Sequence, residues 1–441
     1  MELLQLTIQR LTSGGSGLAH YGGETVFVPF AAPGDEMTAQ VTRRRKGIVE
    51  AERVTLHRPG AHRRTPPCPL FGTCGGCQTQ HLEPAFVHEQ KREWVVDGFR
   101  RIAHLEVEGM CAPLFTPPGE EGGYRRRAAF KARITSRGAV VGFYAPRSRT
   151  IVDLPACPAL VPPLERLIAP LRALLESLQG AYEEVMEIEA ASDDEGRTAL
   201  LFHLPGTPSR RDRDRLSAFA VEQGLAQTWL RLGEAEKWSP LRLEVELSDQ
   251  VAGQRLAFRP GEFVQAHAEQ NRRLVDLVLA YAWGETAEGG GIPPGASGRA
   301  WDLFCGIGNF TLPLARLFHR VIGVEGNLRS VERARRNASA NGVENVRIRQ
   351  ENLFSQEAVA SLDWSPGEVV VLDPPREGAE AVCARLADHP AGRVVYVSCD
   401  PATLARDAAR LIAGGWRLDR LQPVEMFPWT RHVEAVARFV R

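Results

Sequence analysis

Residues 301–309 read WDLFCGIGN, and the rest of the chain falls into place around them. Residues 300–304 have the pattern of a short buried strand with an acid near its end. Residues 305–309, CGIGN, form a tight glycine turn, and FTLPLARLF from Phe310 onward has a helical pattern. A strand–Gly-x-Gly–helix unit aims backbone N–H groups and a helix N-terminus at a ligand. About twenty residues further on, a second strand, VIGVE, ends at Glu325, where an acid suits the hydroxyls of a ribose. The turn alone fits NAD and S-adenosylmethionine equally, and an ordinary strand-to-helix connection is the plainer reading.

Outward from that turn, the last third of the chain alternates strand and helix. WDLF, VIGVE, VRIRQEN, EVVVLDPP, RVVYVSCD and LDRLQPVEMF read as strands, with helices such as LRSVERARRNASAN between them. This is the pattern of a doubly wound α/β sheet, whose site lies at the carboxyl ends of the strands. The polar residues there are Asp302, Glu325, Asn352, Asp373, Cys399 and, further on, Glu434. In methyltransferases an Asn/Asp-Pro-Pro turn, here Asp373-Pro374-Pro375, grips a planar base.

Cys399, in Ser398-Cys399-Asp400-Pro401, is the sharpest clue. Methyl transfer to a nitrogen uses a lone pair and needs no enzyme nucleophile. C5 of a pyrimidine is a poor nucleophile until a thiolate adds at C6 and makes C5 enolate-like. A base must then remove the C5 proton before the thiol leaves, and Glu434 can supply it. Arg376 or His432 could help the thiol ionise. An inert buried thiol is the commoner fate of a lone cysteine.

Upstream, residues 262–283 read as one long amphipathic helix with Gln265 near its start, followed by a glycine-rich loop over 284–299. Residues 162–258 mix helix (LERLIAPLRALLESL) with strand (VMEIEAAS, TALLFHL, RLEVELS) and carry no nameable chemistry. Residues 124–152 hold eight Lys/Arg and no acid, with Tyr124, Phe130, Phe143 and Tyr144 interleaved. AAFKARITS and AVVGFYA read as strands there. Such a sheet suits RNA backbone and unstacked bases; the alternative is a sheet with apolar residues inward and arginines in solvent. Residues 86–102 are helical.

The run CPLFGTCGGC puts Cys68, Cys74 and Cys77 within ten residues, with two glycines that let amides turn toward sulfur. Thiolates suit zinc or an iron–sulfur cluster. Cys157 is the best fourth ligand and Cys111 a weaker one, while His81 or His88 would make a Cys3His zinc site. Residues 1–56 read as five short strands, TIQRL, GLAHY, ETVFVPF, MTAQVTR and GIVEAERV, a small barrel of oligonucleotide-binding type. The run at 43–46, RRRK, suits a solvated turn or a phosphate contact.

The bulk properties set bounds. In 441 residues, 44% apolar content supports two or three domains. No apolar run reaches the length of a membrane span, and the N-terminus lacks a signal-peptide pattern. Eight cysteines are too few for a disulfide scaffold, which points to a reducing, cytoplasmic setting. Net charge is zero, so nucleic acid would have to be held by local patches.

Taken together, FVQ (263–265), DLFCGIGNF, DPPREG, SCDPATLARD and MFPWTRHVE resemble the uracil-C5 RNA methyltransferase family, in the layout of its bacterial 23S ribosomal RNA branch. The likeness spans essentially the whole chain. It implies an α/β protein in three parts: a TRAM, or oligonucleotide-binding-like, barrel at 1–56; a central α+β iron–sulfur domain at 57–260; and a Rossmann-like methyltransferase domain at 261–441. It implies Cys399 as nucleophile and Glu434 as base. Gln265, Phe304, Asn309, Glu325, Asn352 and Asp373 would surround S-adenosylmethionine. Cys68, Cys74, Cys77 and Cys157 would ligate a [4Fe–4S] cluster. RNA is the expected partner, with no membrane and with the chain as a monomer. Methylation of uridine 54 in tRNA and C5 methylation of cytosine are the alternatives; the latter usually needs a Pro-Cys motif where this chain has Asp373-Pro374-Pro375. Two departures, His267 where Asn is frequent and Trp429 where a smaller polar residue is usual, bear on substrate preference.

Overall fold

The computed structural model describes residues 2–119, 121–179, 186–233, 238–284 and 296–441. The first sheet holds β1 (Leu3–Thr7), β2 (Arg10–Leu11), β3 (Ser16–Tyr21), β4 (Glu24–Pro29), β5 (Glu36–Arg45) and β6 (Ile48–Arg58), in the order β1-β5-β6-β4-β3-β2. Only Ile8 and Gln9 separate β1 from β2, so both edges of the sheet are one stretch of chain and the sheet curls into a barrel. Leu4, Leu6, Val26, Val28 and Met37 fill it. The expected strand at 7–11 is therefore two strands: Leu4 and Leu6 alternate inward along β1, and the chain changes partner after Thr7. Arg43, Arg44 and Arg45 end β5, ahead of a turn at Lys46 and Gly47 with φ of 47° and 78°. Glu2 and Glu24 balance Arg44 at 2.8 and 3.1 Å.

After the cysteine segment and the helix Pro84–Gly98 comes a seven-stranded sheet. Its strands are β7 (Arg127–Thr135), β8 (Gly138–Tyr144), β9 (Ile151–Asp153), β10 (Met186–Ser192), β11 (Thr198–Leu204), β12 (Gln227–Leu232) and β13 (Trp238–Leu243), in the order β13-β12-β11-β10-β7-β8-β9. The helices Ile168–Ser177 and Arg210–Glu222 pack Leu171, Leu174 and Leu216 onto Phe130, Ile188 and Phe202. Two readings change here. The run at 164–178 breaks into Pro162–Glu165 and Ile168–Ser177. RLEVELS is not one strand but the end of β13 and the start of β14 (Leu247–Val251).

β14 pairs with β15 (Gln254–Phe258) as a hairpin, and Val251 and Leu256 pack into the same core as the helix Ala268–Trp283. That helix begins at Ala268, not at 262, so Gln265 lies in the extended approach to it. Residues 285–295 of the glycine-rich loop lie outside the described residues, and the following strand already starts at Ala296.

The last sheet holds β16 (Ala296–Leu303), β17 (Phe318–Glu325), β18 (Val346–Gln350), β19 (Val369–Leu372), β20 (Arg393–Ser398), β21 (Arg417–Val424) and β22 (Glu434–Val440). The order is β18-β17-β16-β19-β20-β22-β21; β16 to β20 run parallel, and β22 lies antiparallel between β20 and β21. Six strands were expected. β22 escaped because six of its seven residues are buried, so it shows no in–out alternation. The helix after Asn309 is a single turn, Thr311–Leu314. The fold class is the expected one: an α/β methyltransferase-type sheet behind an N-terminal curled β-sheet. No described helix is long and apolar enough to cross a membrane.

Candidate active site

One cavity of about 1010 Å3 opens at the carboxyl ends of β16, β17, β19 and β20. Gln265, Phe304, Asn309, Glu325, Asn352, Asp373, Cys399 and Glu434 all line it. The glycine turn shapes its floor. Phe304 has a φ of 65°, and its N–H and that of Cys305 both donate to the Val324 carbonyl, at 2.9 and 3.1 Å. Gly308 has a φ of 100°, and a Cβ there would lie 2.6 Å from Leu312 Cδ1. The Glu325 carboxylate accepts N–H bonds from Gly306 (3.0 Å) and Asn327 (2.8 Å), which fixes its position at the end of β17. Phe304 and Phe354 stand 5.7 Å apart at the wall. Asn309 is locked by a reciprocal pair of 2.9 Å amide bonds with Asn271.

Register brings Cys399 and Glu434 together. Ser398 on β20 is opposite Ala435 on β22. One step beyond that pair, Cys399 leaves β20 where Glu434 opens β22. β22 runs antiparallel, so its first residue reaches the same edge as the last residues of the parallel strands. Asp373 follows β19 in the same way. Cys399 also precedes the helix Pro401–Ala413, whose first turn is capped by Asp400 Oδ1 accepting from Ala402 N and Thr403 N.

The charges in the cavity oppose one another. Burial pushes the Glu434 carboxyl up to about 7, and the Arg376 guanidinium pulls it back. Burial, then the Glu434 carboxyl, holds Asp373 well above the carboxylate range. Cys399 is pushed up to about 12 by burial and by Glu434 and Asp373, while Arg376 acts the other way. Burial and Arg376 lower His432 to about 4; its ring nitrogens lie 3.3 and 3.5 Å from an Arg376 amino group. Arg376 is thus the cation that Glu434, Cys399 and His432 share.

The four expected cysteine ligands meet elsewhere. Cys68, Cys74, Cys77 and Cys157 line a separate cavity of about 90 Å3, several times the room one water needs. The Gly76 amide points at Cys74 Sγ at 3.4 Å. Burial raises Cys77 to about 12 and Cys157 to about 11. Cys111 is in the core of the last sheet, and His81 packs against Phe71, so neither faces that cavity. Arg125 borders both cavities.

The basic stretch lacks acids in sequence but meets them in space. Arg126 pairs with Asp249 at 2.5 Å and donates to the Gln265 carbonyl at 2.9 Å, pinning the segment ahead of Ala268. Lys131 pairs with Glu187, and Arg147 with Glu50 at 2.6 Å. Phe130 and Phe143 stack on each other inside the sheet. Much of this charge therefore holds the fold. The two sequence departures also have local roles. His267 Nδ1 caps the helix Ala268–Trp283 by accepting from Gln270 N, a role open to Asn. Trp429 lies against Cys77 and Cys157, and its carbonyl accepts from Gln78 N and Thr79 N. Sequence reading missed Asn271, Asp249 and Phe354, all of which line the large cavity.

Residues 244–439 match the family described as tRNA (Uracil-5-)-methyltransferase, and residues 4–60 match the TRAM domain of tRNA (uracil(54)-C(5))-methyltransferase. The 23S rRNA (uracil(1939)-C(5))-methyltransferase of Alkalilimnicola ehrlichii is 39% identical over 100% of this chain and 97% of its own length. The enzyme of that name from Pseudomonas aeruginosa is 40% identical over 99% and 93%. The crystal structure of Pyrococcus abyssi tRNA (uracil-54, C5)-methyltransferase with S-adenosyl-L-homocysteine superposes with a TM-score of 0.74. It is 23% identical and covers 99% of this chain and 100% of its own, a likeness of fold. With two-fifths identity held along the full length of these relatives, the chain belongs to the RNA (uracil-5-)-methyltransferase family.

Proposed function

We propose that this protein transfers the methyl group of S-adenosylmethionine to C5 of a uridine in 23S ribosomal RNA. The observation that carries the reading is the convergence of Cys399, Glu434 and Asp373 on a cavity that also holds Gln265, Phe304, Asn309, Glu325 and Asn352. The full-length likeness to 23S rRNA relatives favours ribosomal RNA over tRNA. The turn at Asp373-Pro374-Pro375 carries no cysteine, which disfavours cytosine. Glu325 is the ribose acceptor, and Phe304 and Phe354 flank the adenine. Cys399 Sγ adds to C6 of the uridine, which must be unstacked to enter. C5 then takes the methyl from sulfonium, Glu434 removes the C5 proton, and the Cys399–C6 bond breaks to release the product. We take 1–56, 57–260 and 261–441 as the three units, the hairpin of β14 and β15 being the part of the second that packs on the third.

Cys68, Cys74, Cys77 and Cys157 suit a [4Fe–4S] cluster better than zinc. Tetrahedral zinc with bonds of about 2.3 Å needs sulfurs under about 4 Å apart. Among the described residues no three of these sulfurs lie within 4.8 Å of one another. The cluster's thiolates would be held beside Arg125, whose guanidinium lowers Cys77.

The deciding experiment incubates enzyme, labelled RNA and S-adenosylmethionine and runs a denaturing gel. Glu434→Gln should methylate and then stall with RNA attached, and Cys399→Ala should give neither adduct nor product. Near wild-type turnover by Cys399→Ala would overturn the assignment. Mapping 5-methyluridine in ribosomal and transfer RNA of cells lacking the protein decides between the two substrates.

A further inference from the structure

We propose that a groove beside the catalytic cavity binds a second nucleotide of the substrate RNA, one that is not methylated, through two arginines stacked on tryptophans. This rests on the RNA substrate argued above and adds a separate subsite to it.

The groove has a volume of about 250 Å3 and is lined by Trp229, Trp238, Arg259, Arg329, Arg333 and Arg336, with two glutamates. Its charges are unequally matched. Arg333 is buried and bound to Glu262 at 3.0 Å and Glu246 at 2.5 Å, so it is neutralised inside the protein. Arg336 reaches Glu332 only at 3.9 Å, with both side chains more than half exposed, and such a pair contributes little. Arg259 and Arg329 have no carboxylate partner among the described residues. Each lies instead over an indole at 4.7 Å, Arg259 on Trp229 and Arg329 on Trp238. Burial and then the neighbouring Arg333 work against the charge on Arg259, while Glu262 and Glu246 act the other way.

An indole under a guanidinium fixes the plane of its five donors without consuming any of them. The free edge is then set for a bidentate phosphate and the free face for a base. An intramolecular acid would compete for that edge, and among the described residues neither Arg259 nor Arg329 forms an ion pair with one. The chemistry thus selects a phosphodiester with an unstacked base, which single-stranded RNA offers.

The groove is placed to serve the same RNA. Glu262 precedes Phe263 and Arg329 precedes Ser330; Phe263 and Ser330 both line the catalytic cavity. Phe263 is 64% exposed and carries a third such stack, Arg127 at 5.4 Å from its ring. A third arginine-on-aromatic pair therefore stands at the wall of the catalytic cavity.

The test measures binding of a 23S rRNA fragment containing the target uridine over a range of salt. The double variant Arg259→Gln, Arg329→Gln should weaken binding about tenfold at ~0.1 M salt and lower the slope of log K against log salt by roughly one to two, about 0.7–0.9 per phosphate contact. Its affinity for S-adenosylmethionine should be unchanged. Arg259→Lys with Arg329→Lys keeps the charge but not the planar fork, so the slope should return while affinity stays below wild type. If the glutamine pair binds RNA with wild-type affinity and slope, the stacks only brace the fold and the proposal falls. That outcome leaves the catalytic reading intact, since Cys399-linked adduct formation is scored separately. RNA binding absent from the wild type would overturn both.

Discussion

Glu434 is 4% exposed, and in the proposed mechanism it must still be an anion when the C5 proton leaves. Its folded value near 7 resolves the conflict: ionisation is available at neutral pH, and the carboxylate formed is a far stronger base than one in water. His432, near 4, is the weaker base of the two. Below about 7 Glu434 keeps its proton and cannot accept another, so turnover should fall as pH drops below that value. Arg376 is the lever. It stabilises the anion, so Arg376→Gln should move the rising limb to higher pH, by up to about one unit for an exposed cation, and salt should shrink the difference between the two enzymes. A profile unmoved by that substitution would remove Arg376 from the account. Glu434→Gln should lose the limb altogether, with roughly 10²–10⁴ in rate.

The element that carries Glu434 is the segment leading into β22, and it is held mostly from outside its own sheet. Lys91, fully buried on the helix Pro84–Gly98, donates to both oxygens of Glu425, at 2.7 and 2.6 Å, and to the Phe427 carbonyl at 3.2 Å. Tyr124 donates to the Pro428 carbonyl at 2.9 Å, and Gln78 and Thr79, just after Cys77, donate to Trp429. Trp429 holds a φ of 65°, a strained value for an indole residue that these bonds stabilise. The cysteine segment and the stretch just ahead of the proposed base, Glu434, are thus joined by one short set of bonds. Lys91→Met leaves a buried carboxylate unpaired and should cost about 3–5 kcal/mol. Because the clamp acts on Glu425 and Phe427, ahead of Glu434, and not on the glycine turn, methyl transfer should fall while S-adenosylmethionine affinity stays near wild type. Equal losses in both would mean that the helix braces the domain as a whole.

Across the whole molecule, local punctuation was readable and distant pairing was not. The glycine turn at 305–309, the acid ending VIGVE, the prolines after Asp373 and the cysteine spacing are set by neighbours in sequence, and each falls where its local chemistry required. Lys91 and Glu425 are 334 residues apart, and the acids that neutralise Arg126 and Lys131 come from other strands, so no window along the chain contains them. β22 was hidden for the opposite reason, a strand so buried that its period is lost. One consequence of that assembly is a carboxyl contribution to stability that should fall as pH rises. Burial lifts Asp302 to about 7, Asp249 to about 6 and Glu434 to about 7. Asp302 Oδ2 accepts from Thr311 at 2.5 Å, but its Oδ1 is buried with no partner, a place for a proton and not for a charge. An acid whose folded value exceeds its unfolded one binds its proton more tightly when folded. Its contribution is complete below the unfolded value near 4 and is lost as pH climbs through the folded value. Asp35 works in the opposite sense: Arg63 and two backbone amides hold it low, so its contribution is lost only on acidification below the ordinary value of 3.8. Burial lowers His81 to about 3 and His267 and His432 to about 4, which favours folding as pH rises towards 6.5 and offsets part of the carboxyl loss, so the carboxyl contribution is read from the difference between variants. Asp302→Asn keeps the Thr311 bond open and removes one titration, so in thermal unfolding of the ligand-free protein its gain over wild type should grow as pH rises. A gain of Asp302→Asn over wild type that does not grow between pH 5 and 8 would show that Asp302 is ionised in the folded protein after all.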